Sequence, residues 1–420
     1  MRAGLRGLLL LLCVPALSAS AQSPLTLGRA LQSALAANPD LRIVAVRVAG
    51  ASAAVRLARG PGEEYVAAGL RAADRELDAA NAQRHYAVSL AMRDTAIAYW
   101  DYLARWRQLE IARTGEERTA ALAAEIRKLV AADELPASEL DLAIANATER
   151  ANNRIAAEQV LLDAHQALGR LMGVEPSRLA MVQPPASDFP FPSAAGPQPP
   201  YTQSLIEEAE GRREDLRAQE LQIEAARERV LGSRDSAPPL AGLSVGAGVS
   251  GLREGNARSA SPNPFALGGS RTLAASQRAA QYPLGNHAVM GQIGEATAAV
   301  AELEIRRDAL RAEIAAGVTS AAEGLRRAAL QLAGSRDLVS HYTKALESEK
   351  MKRRLGISTL LDILAVEDRL QNTQLRDIDQ RRNYAVALVQ LKHQLGVLVQ
   401  RGSGESQVRE VDFLEYQQPR

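Results

Sequence analysis

The sequence predicts a mainly α fold, in which a tandem repeat of long coiled-coil helices carries one short β-hairpin. Three observations lead to this prediction: a scarcity of aromatic residues, heptad-spaced apolar residues in two long stretches, and motifs that recur in the same order. Aromatic residues make up 4% of the 420 residues, as four Phe, two Trp and nine Tyr. Because each buried ring supplies much of the area of a compact core, we expect helices packed through alanine and leucine instead.

The first 21 residues have the pattern of a secretory signal peptide. Arg2 and Arg6 precede the apolar stretch 8–17, and Ala19-Ser20-Ala21 is a small-x-small site, so cleavage is expected after Ala21. No later stretch of 18 apolar residues follows, which argues against a membrane-spanning helix. We therefore expect an exported protein that is either soluble outside the inner membrane or inserted as strands.

Charge and cysteine content exclude several classes of protein. The chain has 50 basic and 49 acidic residues, without the basic excess of a nucleic-acid-binding protein, so no nucleic-acid partner is expected. The single cysteine, Cys13, lies in the predicted signal peptide. The mature chain is therefore expected to lack disulfides, thiolate metal sites and cysteine nucleophiles. Its five scattered histidines do not have the spacing of metal ligands, so no metal site is expected.

Short motifs recur in two parts of the chain. The stretch 38–42 returns at 213–217, 175 positions later, and Asp141 returns as Asp362, 221 positions later. We therefore predict a first helical repeat at 22–174, a proline-rich linker at 175–200, a second helical repeat at 201–400 and a polar C-terminal tail at 401–420. The two offsets differ by 46 residues, the length of a non-helical segment at 238–283. The first repeat is expected to lack this segment near residue 60.

Each repeat contains one long helical stretch with a coiled-coil seam. Apolar residues recur every seven positions in the second repeat, and 221 positions earlier the first repeat has a similar series; the residues are Val318, Leu325, Leu332, Val339 and Leu346, and Ile97, Ala104 and Ile111. The stretches 62–132 and 286–355 contain no proline, and 70 helical residues would extend over about 105 Å. Turns are expected at 133–136 and 355–358, each followed by a shorter returning helix.

The segment 238–283 has the pattern of a β-hairpin. Leu243, Val245, Ala247 and Val249 alternate with small or polar residues over about the length of a transmembrane strand. A loop rich in Gly, Pro, Asn and Ser follows at 253–269, and a second, weaker strand is expected at 271–282. We predict that the first strand enters a membrane.

Two catalytic motifs overlap this strand. Gly242-x-Ser244-x-Gly246 matches the nucleophile elbow of hydrolases, and 246–251 matches the dinucleotide-binding fingerprint. Both motifs need a helix directly after the strand, because its N-terminus stabilises the oxyanion or the pyrophosphate. A loop rich in glycine and proline follows instead. No catalytic residue, no cofactor and no enzyme activity are therefore expected, and a hydrolase that uses Ser244 stays the minor alternative.

In this order, the motifs resemble those of the TolC-like outer-membrane efflux proteins. The resemblance extends from about 25 to 399 and is carried by Leu25-Thr26-Leu27, the stretches 38–41 and 213–218, Tyr282-Pro283-Leu284-Gly285-Asn286, and Gly356-x-Ser358-x-x-Leu361-Asp362. It implies a homotrimer whose protomers form an α-helical coiled-coil barrel in the periplasm and insert strands in the outer membrane. The implied partners are a periplasmic adaptor (membrane fusion) protein, an inner-membrane transporter of the RND, ABC or MFS type, and outer-membrane lipid. The implied function is the export of small molecules, metals or proteins.

Six tip residues are the candidate periplasmic gate. By the resemblance, Gly356, Ser358 and Asp362 stand at the tip turn and gate, and Asp141 takes the matching place in the first repeat. Leu135 and Pro136 stand in the first tip where a glycine turn is usual. In a trimer, each inward carboxylate would belong to a ring of three, which attracts cations and raises the pKa of its members. The alternative is that each Asp is a solvated surface charge.

The sequence departs from the family in the missing first hairpin. The family contributes four strands per protomer, whereas this chain offers two, which makes six in a trimer. A closed sheet of eight strands already has an interior filled by side chains, so six cannot enclose an aqueous pore. The alternative function is therefore a periplasmic coiled-coil scaffold, derived from that family, without pore activity.

Overall fold

The computed structural model describes residues 24–59, 67–175, 177, 184–192, 202–235, 241–245, 276–280, 287–401, 406–407 and 411–414. The predicted signal peptide lies outside these ranges. The helices are α1 (Leu27–Ala37), α2 (Pro39–Ala58), α3 (Ala67–Ala131), α4 (Ala137–Leu171), α5 (Thr202–Arg212), α6 (Glu214–Asp235), α7 (His287–Arg354), α8 (Leu360–Gln394) and α9 (Val411–Leu414). The strands are β1 (Ala241–Val245), β2 (Ser276–Ala280), β3 (Gln400–Arg401) and β4 (Ser406–Gln407). The predicted mainly α fold with two long helices is confirmed.

The helix lengths show the tandem repeat directly. Helices α1 and α5 have 11 residues each and lie 175 positions apart, as predicted. Helices α4 and α8 have 35 residues each, but their last residues, Leu171 and Gln394, are 223 positions apart. The ends of the two long helices, Ala131 and Arg354, differ by the same 223. The offset of 221 for the second half of each repeat is therefore wrong by two residues.

Burial along the long helices supports the corrected offset. At 223 positions, six buried residues of α7 correspond to six buried residues of α3; they are Ile314, Val318, Ala322, Leu325, Leu332 and Leu346, and Ala91, Thr95, Tyr99, Tyr102, Leu109 and Ala123. At 221 positions, Val318 and Leu332 would correspond to Ile97 and Ile111, which are only half-buried. Thr95, Tyr102 and Leu109 thus lie on the seam of α3; of the predicted series, Ala104 is also buried, whereas Ile97 and Ile111 lie at its margin.

Both hairpin tips turn through one residue with positive φ. Asp133 (φ 59°) follows α3, and Gly356 (φ 73°) follows α7, 223 positions later. In each tip the next amide donates to a carbonyl five residues back, from Glu134 to Leu129 at 2.9 Å and from Ile357 to Lys352 at 3.0 Å. This is the Schellman motif, which ends a helix by satisfying its last carbonyl groups. The left-handed residue of the first tip is therefore Asp133, the first residue of the turn predicted at 133–136.

The strands of the predicted hairpin pair antiparallel. Ala241 lies opposite Ala280, and Val245 lies opposite Ser276. Of the predicted membrane-strand residues, Leu243 and Val245 lie in β1, whereas Ala247 and Val249 lie outside the described residues. Ser244 is paired with Gln277. The predicted loop and the outer parts of both strands also fall outside the described ranges.

The segment predicted as a polar C-terminal tail contains structured elements. Strand β3 pairs antiparallel with β4, and α9 follows. Phe413 of α9 is fully buried and belongs to the main hydrophobic core. One buried aromatic residue among polar neighbours thus docks a short helix of this segment on the main core.

The chain divides into two compact units. Unit 1 comprises Met1–Arg47, Ala82–Asp215 and Arg311–Arg420, and its core contains Tyr99, Trp100, Met92, Phe189 and Phe413. Tyr99 donates to the Leu25 carbonyl at 3.1 Å and accepts from the Ser187 amide at 3.0 Å, which joins the start of the first repeat to the linker. No helix within the described ranges has a stretch both long and apolar enough to cross a membrane.

Unit 2 comprises Val48–Asn81 and Leu216–Leu310, and alanine dominates its core. Its described residues include no Phe, Tyr or Trp. The buried apolar side chains are Val55, Ala68, Ala72, Ala79, Leu216, Ala218, Ile223, Ala225 and Ala226. Three ion pairs join α3 to α6: Arg71–Glu228 at 2.8 Å, Arg75–Glu224 at 3.1 Å and Glu76–Arg229.

Candidate functional site at the helix tips

A capping box closes the tip of the second repeat. The Thr359 amide and hydroxyl donate to Oδ2 of Asp362 at 2.9 and 2.7 Å, and the Asp362 amide donates to the Thr359 hydroxyl at 3.3 Å. Thr359 is the N-cap of α8, and Asp362 is its third residue. The predicted gate residue Asp362 therefore holds the first turn of its helix, while the residue as a whole stays exposed.

A second set of hydrogen bonds ties this tip to the end of α7. The Ser358 hydroxyl donates to Oε1 of Glu349 at 2.6 Å, and Nζ of Lys352 donates to Oε2 of the same carboxylate at 3.0 Å. Ser358 thus bridges the turn to the last two helical turns of α7. Gly356 lies between them with nothing within 4 Å of the position that a Cβ atom would occupy. The tip is a short, well-bonded turn with an open outer face.

The tip carboxylates are stabilised in their charged form within one chain. Hydrogen bonds from the Thr359 hydroxyl and amide lower the pKa of Asp362 below its usual value. The hydrogen bond from Ser358, followed by that from Lys352, lowers the pKa of Glu349 in the same way. The direction for Asp362 is opposite to the rise expected from repulsion in a ring of three carboxylates. Both groups are therefore anionic at neutral pH in the single chain.

The first tip is built differently. Pro136 is the N-cap of α4 and provides no side-chain hydrogen bond, and Glu139 is the third residue of that helix. With the offset of 223, Asp362 corresponds to Glu139 rather than to Asp141. Asp141 is the fifth residue of α4 and is exposed. The expectation that the two aspartates occupy matching places is therefore wrong, because the two-residue error in the offset moved the match along the helix.

The structure brings the two tips together in unit 1. Leu360 and Leu364 of α8 are buried in one cluster with Ile126 of α3 and Ala143 of α4. The predicted gate residue Leu135 packs against this cluster and is half-buried, whereas Pro136 is exposed. Contact between the first turn of α8 and the end of the α3–α4 hairpin makes the two tips one surface.

An ion pair about two to four helical turns from the tips joins α4 to α8. Nη2 of Arg150 donates to Oδ1 of Asp368 at 2.8 Å, and the Arg150 side chain is 8% exposed. Nε of Arg150 and Oδ1 of Asn146, one turn earlier, are buried and have no hydrogen-bond partner. A buried guanidinium that is only partly satisfied costs free energy, so loss of the Asp368 carboxylate would leave this charge without compensation.

The sequence contains a local signal for the role of Thr359 and none for the role of Arg150. Thr359-Leu360-Leu361-Asp362 has the spacing of a capping box, which predicts Thr359 as a helix start. Arg150 stands among Glu149, Arg154 and other charged residues of α4 that are mostly solvated, and no local pattern distinguishes it. Its role depends on a partner 218 positions away in sequence.

The outer face of the tips carries exposed apolar side chains beside a charged carboxylate. Leu355, Ile357 and Leu361 are 67%, 74% and 60% exposed, next to the anionic Asp362. Solitary exposed leucines are common, but three around one turn form a contiguous surface of the kind that contacts proteins. Among the described residues, no three His, Asp or Glu side chains are placed to hold a metal ion.

A second polar cluster lies at the other end of α8, in unit 1. Arg213, between α5 and α6, donates to both Asp215 oxygens at 2.9 and 2.5 Å and to Oε1 of Gln394 at 2.6 Å. Ser89 Oγ and His393 Nδ1 are 3.0 Å apart, and a cavity of about 460 Å³ adjoins these groups. Burial, followed by the charges of Arg93 and Arg213, lowers the pKa of His393 to about 3. The His393 imidazole is therefore neutral. The cluster is a buried polar contact that holds α3, α5, α6 and α8 together in unit 1.

Comparison with known proteins gives matches in structure and none in sequence. No protein-family model matches the chain, and no curated protein matches it. The outer-membrane channel OprN has a TM-score of 0.72 at 16% identity, covering 88% of this chain and 89% of its own. The outer-membrane protein VceC of Vibrio cholerae has a TM-score of 0.69 at 18% identity and covers 88% and 96%. The CmeC outer-membrane channel of Campylobacter jejuni has a TM-score of 0.71 at 14% identity and covers 88% and 85%.

These similarities establish the fold. The chain has the fold of outer-membrane channel proteins, over almost the full length of both chains compared. The TolC-like fold that the motif order implied is thereby confirmed. At sequence identities of 14–18%, the similarity establishes the fold alone.

Proposed function

We propose that this chain is the outer-membrane channel component of a tripartite efflux pump or type I secretion system. It would act as a homotrimer, with its strands in outer-membrane lipid and most of the chain in the periplasm. A periplasmic adaptor protein and an inner-membrane transporter would complete the pathway for small molecules, metals or proteins. The observation that carries the proposal is the fold shared with outer-membrane channels over 88% of the chain. No enzymatic step is part of this function.

The helix tips are the proposed periplasmic gate and adaptor-binding end. Asp362 and Ser358 fix the turn of the second tip, Gly356 gives it its left-handed residue, and Leu135 with Pro136 shapes the first. The Asp362 and Asp141 side chains would face permeating cations. The exposed Leu355, Ile357 and Leu361 would contact the adaptor. Arg150 and Asp368 would hold α4 against α8 in the closed gate.

Planar-bilayer recording tests the channel function. The exported chain, purified in detergent and added to a bilayer, is expected to produce stepwise currents with cation preference. Asp362→Asn with Asp141→Asn should lower that preference, because the tip then loses two carboxylates per chain. A protein that is trimeric and folded but silent at all voltages would exclude the channel and favour the scaffold.

The gate contact has its own test in the same recordings. Asp368→Asn weakens the ion pair with Arg150, so the open probability is expected to rise severalfold. Arg127→Ala is the matched control, because Arg127 is exposed on α3 near the same tip. Equal open probabilities in the two variants would remove Arg150 and Asp368 from the gate.

A periplasmic scaffold without a pore is the second candidate function. Only residues 59–66 separate α2 from α3, whereas 236–286 separate α6 from α7. A trimer would then have six strands, too few to enclose water. Membrane fractionation separates the candidates further: the channel is expected in the outer membrane, and a scaffold in the soluble periplasmic fraction.

A further inference from the structure

Two asparagines accompany the ion pair between α4 and α8, one on each helix. Arg150 and Asp368 join the helices through Nη2 and Oδ1 at 2.8 Å. Asn146 stands four residues before Arg150 on α4, and Asn372 stands four residues after Asp368 on α8. Residues four apart lie on one face of a helix, where their side chains can contact each other. Each charge of the pair therefore has an amide side chain within reach on its own helix.

On α8 this contact is already made. Nδ2 of Asn372 donates to Oδ2 of Asp368 at 3.1 Å, while Oδ1 of the same carboxylate accepts from Arg150. The Asp368 side chain is 52% exposed, so solvent also reaches it. The carboxylate would therefore keep its bond from Asn372 if it separated from Arg150.

On α4 the corresponding contact is not made. Oδ1 of Asn146 and Nε of Arg150 are both buried without a hydrogen-bond partner, although the first is an acceptor and the second a donor. A buried polar atom costs free energy in every arrangement in which it stays unpaired, so such atoms need an explanation. The arrangement with Arg150 on Asp368 thus leaves two atoms unsatisfied that could satisfy each other.

We propose that Arg150 exchanges Asp368 for Asn146 when α8 moves away from α4, which makes Asn146 a positioning residue of the gate. In the open arrangement, the guanidinium donates to Oδ1 of Asn146, and Asp368 keeps its bond from Asn372. The amide does not compensate the charge of Arg150, but it lowers the cost of separating this charge from the carboxylate. Asn146 therefore stabilises the open arrangement, whereas its Oδ1 atom makes no bond in the closed one. This inference rests on the gate of the proposed function.

A double-mutant cycle on stability tests the exchange without a channel recording. In the otherwise unchanged chain, Asn146→Ala should leave the urea midpoint unchanged or higher, because Oδ1 has no partner to lose. In a chain with Asp368→Ala, the same substitution should lower the midpoint, because Arg150 then depends on Asn146. Asn152→Ala in both backgrounds is the matched control for the change in helix propensity, since Asn152 is exposed on another side of α4.

Two results of the cycle would overturn the exchange. A loss of the same size in both backgrounds would make Asn146 a residue of the closed arrangement, such as one that holds Arg150 through a bridging water. Equal midpoints for Asn146→Ala and Asn152→Ala in both backgrounds would show that Arg150 does not use Asn146.

Planar-bilayer recording then tests the effect on the gate. Asn146→Ala should lower the open probability by about tenfold, the factor that corresponds to one hydrogen bond to a charged group. Asp368→Asn should raise the open probability, and Asn152→Ala should leave it unchanged. A rise with Asn146→Ala would overturn the proposed role in the gate. A folded protein that shows the coupling in urea but carries no current would contradict the proposed channel, and the exchange would then stand on the cycle alone.

Discussion

At the scale of single residues, four helix ends share one backbone geometry in different surroundings. Asp133, Gly173, Gly356 and Gly396 have φ between 59° and 73°. A Cβ atom at Gly173 would lie 2.3 Å from the Ala37 carbonyl oxygen, and one at Gly396 would lie 3.1 Å from backbone atoms of Arg212. Ala37 and Arg212 are the last residues of α1 and α5, so both repeats close through the same contact. At Gly356 the space is open.

The glycine-to-alanine series should separate backbone strain from steric overlap. Gly356→Ala adds only the left-handed strain, so we expect a loss of about 1 kcal/mol in the free energy of unfolding. Gly396→Ala adds a close contact and should lose about 2 kcal/mol, and Gly173→Ala about 3 kcal/mol or more. Urea denaturation of the three variants measures the order. Equal losses would contradict the difference in space that the structure shows.

Asp133 allows the opposite change. Asp133→Gly removes the strain of a non-glycine residue at φ 59°, so the free energy of unfolding should rise by up to about 1 kcal/mol. The gain is read from the urea midpoint. Asp133→Ala serves as control, because it removes the carboxylate without relieving the backbone. A gain in both variants would assign the effect to the charge.

Asn38 and Arg213 occupy equivalent positions in the two repeats, directly after α1 and after α5. The Asn38 side chain accepts from the Asp40 amide at 2.9 Å and donates to the Leu171 carbonyl at 3.0 Å. Arg213→Ala leaves Asp215 and Gln394 without their partner, so we expect a loss of about 3 kcal/mol, against about 1 kcal/mol for Asn38→Ala. Thermal and urea denaturation would measure both. Arg217→Ala, at an exposed position, should change little.

His393 should make stability depend on pH. Its pKa is about 3 in the folded chain, below the ordinary value near 6.5, so the unfolded chain binds the extra proton between these values. Stability is therefore full above pH 6.5 and falls as the pH falls, by about 2 kcal/mol from pH 7.5 to 5. Urea denaturation of His393→Gln should have a pH dependence flatter by that amount. Identical slopes in the two proteins would rule out this histidine as the cause.

At the scale of elements, the seam between α3 and α6 is held by exposed ion pairs. Arg75 and Glu224 are each 49% exposed, so their pair should contribute about 0.5–1 kcal/mol. Arg75→Glu and Glu224→Arg should each destabilise the chain by that amount or slightly more, and the double swap should restore the loss. Denaturation midpoints at low salt measure the cycle. In 1 M salt the differences should shrink, since screening acts within about 3 Å there.

The helices could be predicted from the sequence because their heptads persist without proline. The register between the repeats could not, for a physical reason. More than half of the residues of the alanine-rich helix α3 are apolar, so a shift of two residues can still place apolar side chains on the seam. Only burial distinguishes Thr95 and Leu109 from Ile97 and Ile111 as the seam of α3. The misplacement of Asp141 against Asp362 followed from that degeneracy.

The candidate site was predicted in part. Gly356, Ser358 and Asp362 do form one bonded turn, whose residues are close in sequence. Asp133 lies in the predicted turn, but its left-handed conformation was not predicted because glycine is the usual residue there. Arg150 was missed because its partner lies on another helix. Local chemistry was visible in the sequence, and pairing across the fold was not.

At the scale of the whole molecule, the two units should differ in local stability. Unit 1 buries Tyr99, Trp100 and Phe413, whereas the described part of unit 2 buries alanines and a few aliphatic side chains. Because protection from exchange follows buried apolar contacts, amides at 67–81 of α3 should exchange faster than those at 91–109 of the same helix. Hydrogen-exchange mass spectrometry resolves both segments. Equal protection of the two segments would contradict this prediction. It would show that the ion pairs of unit 2 stabilise the helix to the same degree as the buried aromatic side chains of unit 1.

The main core has a consequence for how the protein is made. It joins Leu27 and Leu31 of the first helix to Leu398 and Phe413 near the end of the chain. A chain synthesised from its N-terminus therefore cannot bury Trp100 and its neighbours completely until nearly all of it has been made. Until then its largest apolar surface is accessible to chaperones and proteases. The main core can therefore be completed only when the C-terminal residues are present. A chain that lacks its last ten residues, and with them Phe413, should be degraded although every long helix is intact.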